Sequence, residues 1–256
     1  MIDLHCHILP GLDDGAQTLE DALEMARIAV ADGITDIVAT PHTRDGVYRN
    51  DAEAVLAAVE SFQRELEAAE IPLRIHPGAE VHVHVEFVEN LLDGNTLTIG
   101  NGRKYVLLEL PVQSIPRFTD ELIYELSVEG ITPIIAHPER NVALRENPNR
   151  LAEWIEQGAI AQVTAGSLLG KMGERAKKTA ELMVQRRLVH VVASDAHNSG
   201  RRRPELGEAY RVLASLVDEE EATRYQVNAS AVLQGGSCTV LEPAQVVAKK
   251  KRFFFF

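Results

Sequence analysis

The chain has 256 residues, a length that suits one α/β barrel and is too short for two large domains. Its formal net charge of −12 argues against a protein that binds nucleic acid through a basic face, and its two cysteines are too few for a disulfide framework. No apolar run is long enough to span a membrane and no secretory signal is recognisable, so we expect a cytoplasmic protein with no nucleic-acid partner.

Short apolar runs alternate with helical stretches along most of the chain. The apolar runs predict strands at 2–4, 34–39, 73–80, 105–110, 131–136, 159–163 and 189–193. Apolar residues at helical spacing predict helices at 18–31, 51–69, 118–129, 149–157, 173–187, 204–217 and 219–233. This alternation is typical of parallel βαβ units, so we predict that residues 1–240 form one domain, a parallel α/β barrel of about seven strands.

Two local signals refine this outline. Thr18 and Asp21 have the spacing of a capping pair at the start of the first helix. Turn signals at Gly94 and Gly100 indicate that 86–104 is an irregular excursion between the third and fourth strands.

Imidazole and carboxylate side chains stand at the carboxyl ends of most predicted strands. They are His5, His7, His42, Glu80, Glu109, His137, Asp195 and His197. The carboxyl ends of parallel barrel strands meet at one mouth, so we expect these side chains to converge there. Mixed nitrogen and oxygen ligands bind borderline divalent metals such as manganese, iron, cobalt or zinc. The pattern therefore predicts a polynuclear metal site, and a hydrolase.

Other polar residues are less decisive. The residue pattern leaves Asp14 open between a metal ligand and a turn or helix-capping residue. His82 and His84 continue the alternation beyond the third strand; they could contact substrate or lie on the surface, and the surface is favoured. His76 and His190 fall early in their strands, away from the mouth, and we expect structural roles for both.

A cysteine-dependent phosphatase is incompatible with the sequence. That mechanism needs an arginine six positions after the nucleophilic cysteine, but Leu12 follows Cys6 at that distance and Ala244 follows Cys238. We expect Cys6 to be a small apolar residue that points to the opposite side of its strand from its histidine neighbours. The chain also has no P-loop, no dinucleotide fingerprint and no Gly-x-Ser-x-Gly elbow.

Six motifs resemble those of the PHP (polymerase and histidinol phosphatase) superfamily: MIDLHCHILPGLDDGA, VATPH, PGAE, LLELP, IIAHPER and ASDAHN. Within it they are most similar to bacterial manganese-dependent protein-tyrosine phosphatases from capsule and exopolysaccharide operons, and the resemblance extends from residue 1 to about residue 235. It implies a distorted seven-stranded parallel barrel, the PHP fold, with three Mn²⁺ ions at the carboxyl ends of its strands. The implied ligands are His5, His7, Asp14, His42, Glu80, Glu109, His137, Asp195 and His197, which favours the ligand interpretation of Asp14.

The resemblance also implies two arginines that bind phosphate. The first follows the HPE motif and matches Arg140, while the second lies within Arg201–Arg203, where the spacing from His197 favours Arg202. We expect one arginine of this triplet to be functional and the others to be solvated. A hydroxide bridging the metals would attack phosphorus while the two guanidinium groups hold the other oxygens.

The implied substrate is a phosphotyrosine protein, a bacterial tyrosine kinase or one of the kinase's own substrates. Three alternatives stay open: a phosphatase for histidinol phosphate or another small phosphomonoester, a metal-dependent amidohydrolase or nuclease, and a non-catalytic metal-stabilised interaction module. Many amidohydrolases bridge two metals with a carbamylated lysine on the fourth strand, where this chain has Glu109.

We predict that the final residues, 241–256, form a flexible tail. Four cations, Lys249–Arg252, precede four phenylalanines in an otherwise acidic chain. The tail is a disordered end without a role, a peripheral contact with an anionic membrane surface, or a segment that binds a partner.

Overall fold

The fold is built from parallel strands that alternate with helices. In the computed structural model, which describes residues 1–43 and 46–244, there are nine strands and ten α-helices. The strands are β1 (Ile2–Cys6), β2 (Asp36–Ala39), β3 (His42–Thr43), β4 (Arg74–Pro77), β5 (Glu80–His82), β6 (Tyr105–Glu109), β7 (Thr132–Ala136), β8 (Ile160–Thr164) and β9 (Val191–Ala193). The helices are α1 (Leu19–Ala31), α2 (Ala52–Ala68), α3 (Phe87–Leu92), α4 (Thr119–Val128), α5 (Val142–Glu146), α6 (Asn149–Glu156), α7 (Ala165–Leu168), α8 (Glu174–Gln185), α9 (Gly207–Leu216) and α10 (Glu219–Leu233).

These strands form two parallel sheets. The smaller sheet has the order β1-β2-β4, and the larger has the order β3-β5-β6-β7-β8-β9. Every strand pair within them is parallel, which confirms the predicted βαβ organisation. The closed barrel of seven strands is not confirmed, because neither sheet closes on itself within the described part of the chain.

The division into two sheets arises where a strand of the smaller sheet ends and the chain enters the larger sheet a few residues later. The predicted strand 34–39 ends as β2 and the chain resumes as β3, while 73–80 is divided into β4 and β5. Pro77, which ends β4, has no backbone N–H for the hydrogen-bond ladder. The backbone also approaches closely at Gly78, where a Cβ would lie 2.6 Å from Cγ1 of Val38. These breaks change the strand pairing, and the hydrophobic pattern does not reveal them.

The two sheets meet where the first strand lies beside the segment that follows the last. Cys6 and Ala196 form an isolated parallel bridge. The backbone N–H of His7 donates to the carbonyl of Ala196 at 2.8 Å, and that of Asp195 donates to the carbonyl of His5 at 2.8 Å. Residues from opposite ends of the chain are thereby brought to the same place.

The seven predicted helices are all confirmed, with ends that differ by a few residues. Thr18 caps α1 as expected: its hydroxyl accepts from the N–H of Asp21, and the Asp21 carboxylate accepts from the N–H of Thr18. The irregular segment 86–104 contains α3, which was not predicted. Phe87 and Leu91 are buried four positions apart on this helix, so tertiary burial stabilises a segment too short to be recognised from periodicity.

Apolar side chains fill the space between the sheets and the helices. Trp154, Tyr225 and Phe62 are among the largest that are fully buried. The indole N–H of Trp154 donates to Oδ1 of Asp120 at 2.8 Å, so its burial leaves no unpaired donor. In residues 1–43 and 46–244, no helix combines the length and the apolar composition needed to cross a lipid bilayer.

His190 has the structural role expected of it and makes stability depend on pH. Its Nδ1 accepts from the N–H of Ala161 at 3.1 Å, and burial lowers its pKa to about 4. The folded protein therefore keeps this ring neutral, whereas the unfolded chain protonates it near pH 6.5. Stability from His190 is fully present above pH 6.5 and is lost as the pH falls toward 4.

We expect the free energy of unfolding to fall by about 2 kcal/mol between pH 7 and pH 5 through this group alone. His190→Asn keeps an acceptor near the position of Nδ1 and should remove that part of the pH dependence. His84→Asn, at a half-buried histidine, should retain it. Urea unfolding at both pH values measures the difference, and an equal pH dependence in all three proteins would contradict the prediction.

Candidate metal centre

The structure brings the nine residues expected as metal ligands together. Most of them end or follow a strand, but His42 and Glu80 begin β3 and β5, and Asp14 lies in the loop before α1. The strand register explains part of this arrangement, since His42 on β3 lies opposite Glu80 on β5. His137 and Asp195 follow β7 and β9 and adopt left-handed backbone conformations, with φ of 34° and 50°. Such angles are unfavourable for residues other than glycine, and they tend to persist where the surroundings require them, as at functional sites.

Glu80 lies at the centre of this group. Its Oε2 is 3.2 Å from Nε2 of His5, 3.3 Å from Nε2 of His7 and 3.3 Å from Nδ1 of His42. Its Oε1 is 2.8 Å from Nε2 of His137. Burial alone would raise the pKa of Glu80, but the surrounding imidazoles hold it well below its ordinary value. Glu80 is therefore a buried carboxylate that needs positive charge around it.

Three sets of side chains have ligand atoms within 4.8 Å of one another and could each hold a metal ion. The sets share residues: His7, His42 and Glu80 each belong to two of them. The members are His7, Asp14, His42 and His197 in the first set, His5, His7 and Glu80 in the second, and His42, Glu80 and Glu109 in the third. Of the shared residues, only Glu80 has two oxygens that could bridge neighbouring ions, because a neutral imidazole offers one acceptor nitrogen.

Two of the histidines are oriented by partners that the sequence analysis missed. Nδ1 of His7 donates to Oδ2 of Asp13 at 2.6 Å, and Nδ1 of His5 donates to Oε1 of Gln162 at 3.0 Å. Both rings therefore turn Nε2 toward Glu80, with the two Nε2 atoms 3.1 Å apart. Unprotonated nitrogens this close repel each other unless a proton or a metal cation lies with them. Such orienting partners are typical of metal-bound histidines.

Asp13 also shapes the loop around His7. Its carboxylate accepts from the backbone N–H of His42 at 2.9 Å and of Gly15 at 2.9 Å. A Cβ at Gly15 would lie 2.1 Å from the carbonyl oxygen of His7, so only glycine allows this close approach. Burial lowers the pKa of His7, but the hydrogen bonds to Asp13 and Glu80 outweigh it and raise that pKa to about 10.

The two missed residues differ in the signal they offered. Gln162 is fully buried in β8, and a polar residue in an otherwise apolar strand was a signal that could have been used. Asp13 is adjacent to Asp14 in a turn, and the sequence does not show which of the two carboxylates points inward.

Asp14 and His82 both lie at the rim of the centre. Oδ1 of Asp14 is 3.3 Å from Nε2 of His197 and 3.5 Å from Nε2 of His42, while Thr18 is the residue that caps α1. His82, which we expected on the surface, is half-buried, with Nδ1 3.5 Å from Oε2 of Glu109. His82 and His84 are both partly exposed, and strand register places His82 beside Glu109 on β6.

Both expected arginines reach the centre through Asp195. Nη1 of Arg140 donates to Oδ2 of Asp195 at 2.5 Å, and Nη2 of Arg202 donates to Oδ1 at 2.8 Å. Asp195 is buried, and the nearby cations keep its pKa below the ordinary value although burial acts in the opposite direction. The centre therefore has imidazoles and carboxylates inside and guanidinium groups at its edge.

Cys6 takes no part in this arrangement. It is fully buried, and burial raises the pKa of its thiol well above the ordinary value, so it is not a thiolate. His76, the other histidine for which we expected a structural role, pairs with Asp36 at 2.9 Å on the smaller sheet.

The fold and this site define a class of protein: a parallel α/β protein with a cluster of candidate metal ligands. Residues 1–234 match the family described as capsular polysaccharide synthesis, CpsB/CapC. The chain belongs to this family, which confirms the resemblance found in the motifs.

Two named relatives align with nearly the whole chain. Tyrosine-protein phosphatase YwqE of Bacillus subtilis is 41% identical over 256 residues, covering 100% of both chains. The putative tyrosine-protein phosphatase CapC of Staphylococcus aureus is 36% identical over 99% of both. Crystal structures of YwqE and of CpsB from Streptococcus pneumoniae are described as those of unique metal-dependent tyrosine phosphatases. The solved chain superposes on this one with a TM-score of 0.94. The two are 40% identical, and the alignment covers 97% of this chain and 100% of the solved one.

Proposed function

We propose that this chain is a metal-dependent protein-tyrosine phosphatase and that its nine clustered residues bind three Mn²⁺ ions. The observation that carries the proposal is the cluster itself, in which three sets of nitrogen and oxygen ligands share His7, His42 and Glu80. The donor set suits borderline divalent metals, and Asp13 and Gln162 orient two of the imidazoles as such metals require. The names of the full-length relatives support the same activity.

The residues around the cluster would divide the work of phosphate-ester hydrolysis. When bound, divalent cations neutralise the phosphate dianion and lower the pKa of water, so that hydroxide is available near pH 7. Arg140 and Arg202 hold the phosphoryl oxygens, because a planar guanidinium matches phosphate geometry. Asp195 accepts from both arginines and so holds their guanidinium groups at the edge of the ligand cluster.

The proposed substrate is a phosphotyrosine protein in the cytoplasm, a bacterial tyrosine kinase or a protein that this kinase phosphorylates. The tyrosine leaving group has a pKa near 10, well below that of serine, so it departs with less help from a general acid. Membership of the capsular polysaccharide synthesis family supports a role in regulating capsule or exopolysaccharide production. The membrane contact considered for the C-terminal tail concerns residues 249–256, which lie outside the described residues.

We also propose that residues 1–240 form one domain, in which the two sheets act as a distorted seven-stranded barrel. In this interpretation β2 with β3 and β4 with β5 are two interrupted strands. The bridge between Cys6 and Ala196 joins the first strand position to the last. The supporting observation is that ligands from both ends of the chain face one cluster.

A side-by-side assay tests the proposed activity. The protein is stripped with a chelator, reloaded with Mn²⁺, Fe²⁺, Co²⁺ or Zn²⁺, and assayed on a phosphotyrosine peptide, a phosphoserine peptide and histidinol phosphate. We expect activity to vanish on chelation and to return most strongly with Mn²⁺ and the phosphotyrosine peptide. Cys6→Ala serves as the control and should behave like the wild type.

Each other outcome points to a different alternative. A clear preference for histidinol phosphate would favour the small-molecule phosphatase. Metal binding without turnover of any phosphate ester would favour the non-catalytic module. Activity that survives chelation and is lost in Cys6→Ala would contradict the metal mechanism. Incubation with a phosphorylated tyrosine kinase should remove its phosphotyrosine, and failure there alone would exclude only the kinase as substrate.

A further inference from the structure

A cleft opens directly beside Arg202. It is lined by Lys171, Met172, Gly173, Arg201 and Arg202, and its volume is about 410 Å³. This space is large enough for an acidic side chain or a phosphate group. Because Arg202 also donates to Asp195, one guanidinium belongs both to the cleft and to the edge of the metal centre.

The cleft carries an uncompensated positive charge. Lys171 pairs with Glu205 at 2.8 Å, and Arg203 pairs with the same carboxylate. Arg202 is paired with Asp195. Arg201 is exposed and its Nη2 donates to the carbonyl of Lys171 at 2.8 Å, but within residues 1–43 and 46–244 it has no carboxylate partner. A guanidinium without a counter-ion is available to a ligand.

In the described part of the chain, the neighbouring Arg202 has a nitrogen without a hydrogen-bond partner. Nε of Arg202 is buried and, among the described residues, has no hydrogen-bond acceptor. A buried donor without a partner costs free energy. Arg201 is exposed, so its guanidinium is the group in this cleft that can contact an anion without displacing a carboxylate.

We propose that this cleft binds an anionic group on the substrate peptide next to the phosphotyrosine, and that Arg201 determines this specificity. The inference rests on the proposed function, because it places the phosphate of the phosphotyrosine at Arg202. An extended peptide advances about 3.3 Å per residue, so a side chain one or two positions away reaches a neighbouring guanidinium. The bound group is either a carboxylate or a second phosphate, and the positive charge of Arg201 would attract both. We expected only one arginine of Arg201–Arg203 to be functional. In this proposal both Arg201 and Arg202 contact the substrate.

Peptides of equal length test this proposal in the Mn²⁺-loaded protein. One set has neutral residues around the phosphotyrosine, a second has a single aspartate at each of two positions on either side, and a third has a second phosphotyrosine there. We expect kcat/KM to be about 5- to 10-fold higher for an acidic peptide at one or more positions. The aspartate and phosphotyrosine sets show which anionic group the cleft prefers.

Substitutions identify the residue responsible. Arg201→Gln should reduce the ratio of acidic to neutral kcat/KM to about one, and Arg201→Lys should restore part of it because the charge returns without the planar fork. Arg27→Gln removes an exposed arginine from α1 and should keep the wild-type ratio. The ratio should also fall as the salt concentration rises.

Hydrolysis of the neutral peptide distinguishes the proposed phosphatase activity from the proposed specificity of the cleft. If wild-type protein with Mn²⁺ hydrolyses it but shows the same ratio as Arg201→Gln, or no acidic preference at any position, the cleft proposal is overturned and the proposed function stands. If none of the peptides is hydrolysed, the proposed function is wrong, and the cleft proposal, which depends on it, is wrong as well.

Discussion

Glu80→Gln should abolish most phosphatase activity in a protein that still folds. The substitution keeps the shape of the side chain but removes the charge that faces His5, His7 and His42. Because two of the three candidate metal sets include Glu80, an amide there should lower metal occupancy at more than one position. We expect kcat/KM to fall on the order of 1000-fold, which corresponds to about 4 kcal/mol.

Metal analysis and kinetics on the same preparations measure this effect, with circular dichroism as the test of folding. Glu139→Gln is the matched control, because Glu139 is also fully buried near the site but donors from Ser167 and Thr164 hold one of its oxygens. Burial raises the pKa of Glu139, so a neutral amide should replace it with little loss of metal. A Glu80→Gln protein with full metal content and full activity would show that Glu80 is not a ligand.

Arg140→Ala and Arg202→Ala should each lower kcat/KM by about 100- to 1000-fold while metal content stays close to that of the wild type. Each substitution removes a charge-assisted hydrogen-bond donor from the edge of the centre. Inhibition by inorganic phosphate should weaken in parallel, because the product carries the same oxygens. Lysine at either position should recover only part of the activity, since it lacks the planar fork.

Arg203→Ala provides the control for the second arginine. It lies in the same triplet, but it pairs with Glu205 instead of Asp195. On a neutral peptide it should behave like the wild type. Both arginines share Asp195, so the double variant should lose less than the product of the two single effects. If the arginine variants lost metal and recovered full activity on reloading, their role would be to support Asp195, and the phosphate-binding assignment would be wrong.

Much of the candidate site could be predicted from strand ends alone. His5, His42, Glu80 and His137 each follow an apolar run, and parallel strands bring such positions to one edge of the fold. The prediction needed only the period of the strands and the chemistry of the side chains. Asp14 needed the motif resemblance, because a carboxylate in a turn has several possible roles.

The partners that orient the histidines could not be predicted in this way. Gln162 is separated from His5 by 157 positions, and their hydrogen bond exists only because β8 and β1 face the same space. Asp13 and Asp14 are neighbours whose carboxylates contact different histidines. The tight loop closure at Gly15 decides which carboxylate reaches His7. The exposed Arg201 and the paired Arg203 look alike in the sequence, and only the position of Glu205 distinguishes them.

The sequence by itself determined the alternation of parallel strands and helices and the residue types at the strand ends. It did so because hydrophobic period and ligand chemistry are local properties. Tertiary structure alone decided that two strands are interrupted, that the sheet pairing changes at Pro77 and Gly78, and that Glu80 is the residue on which the imidazoles converge. These features depend on which backbone segments approach each other, and close approach between residues distant in the chain leaves no periodic signal.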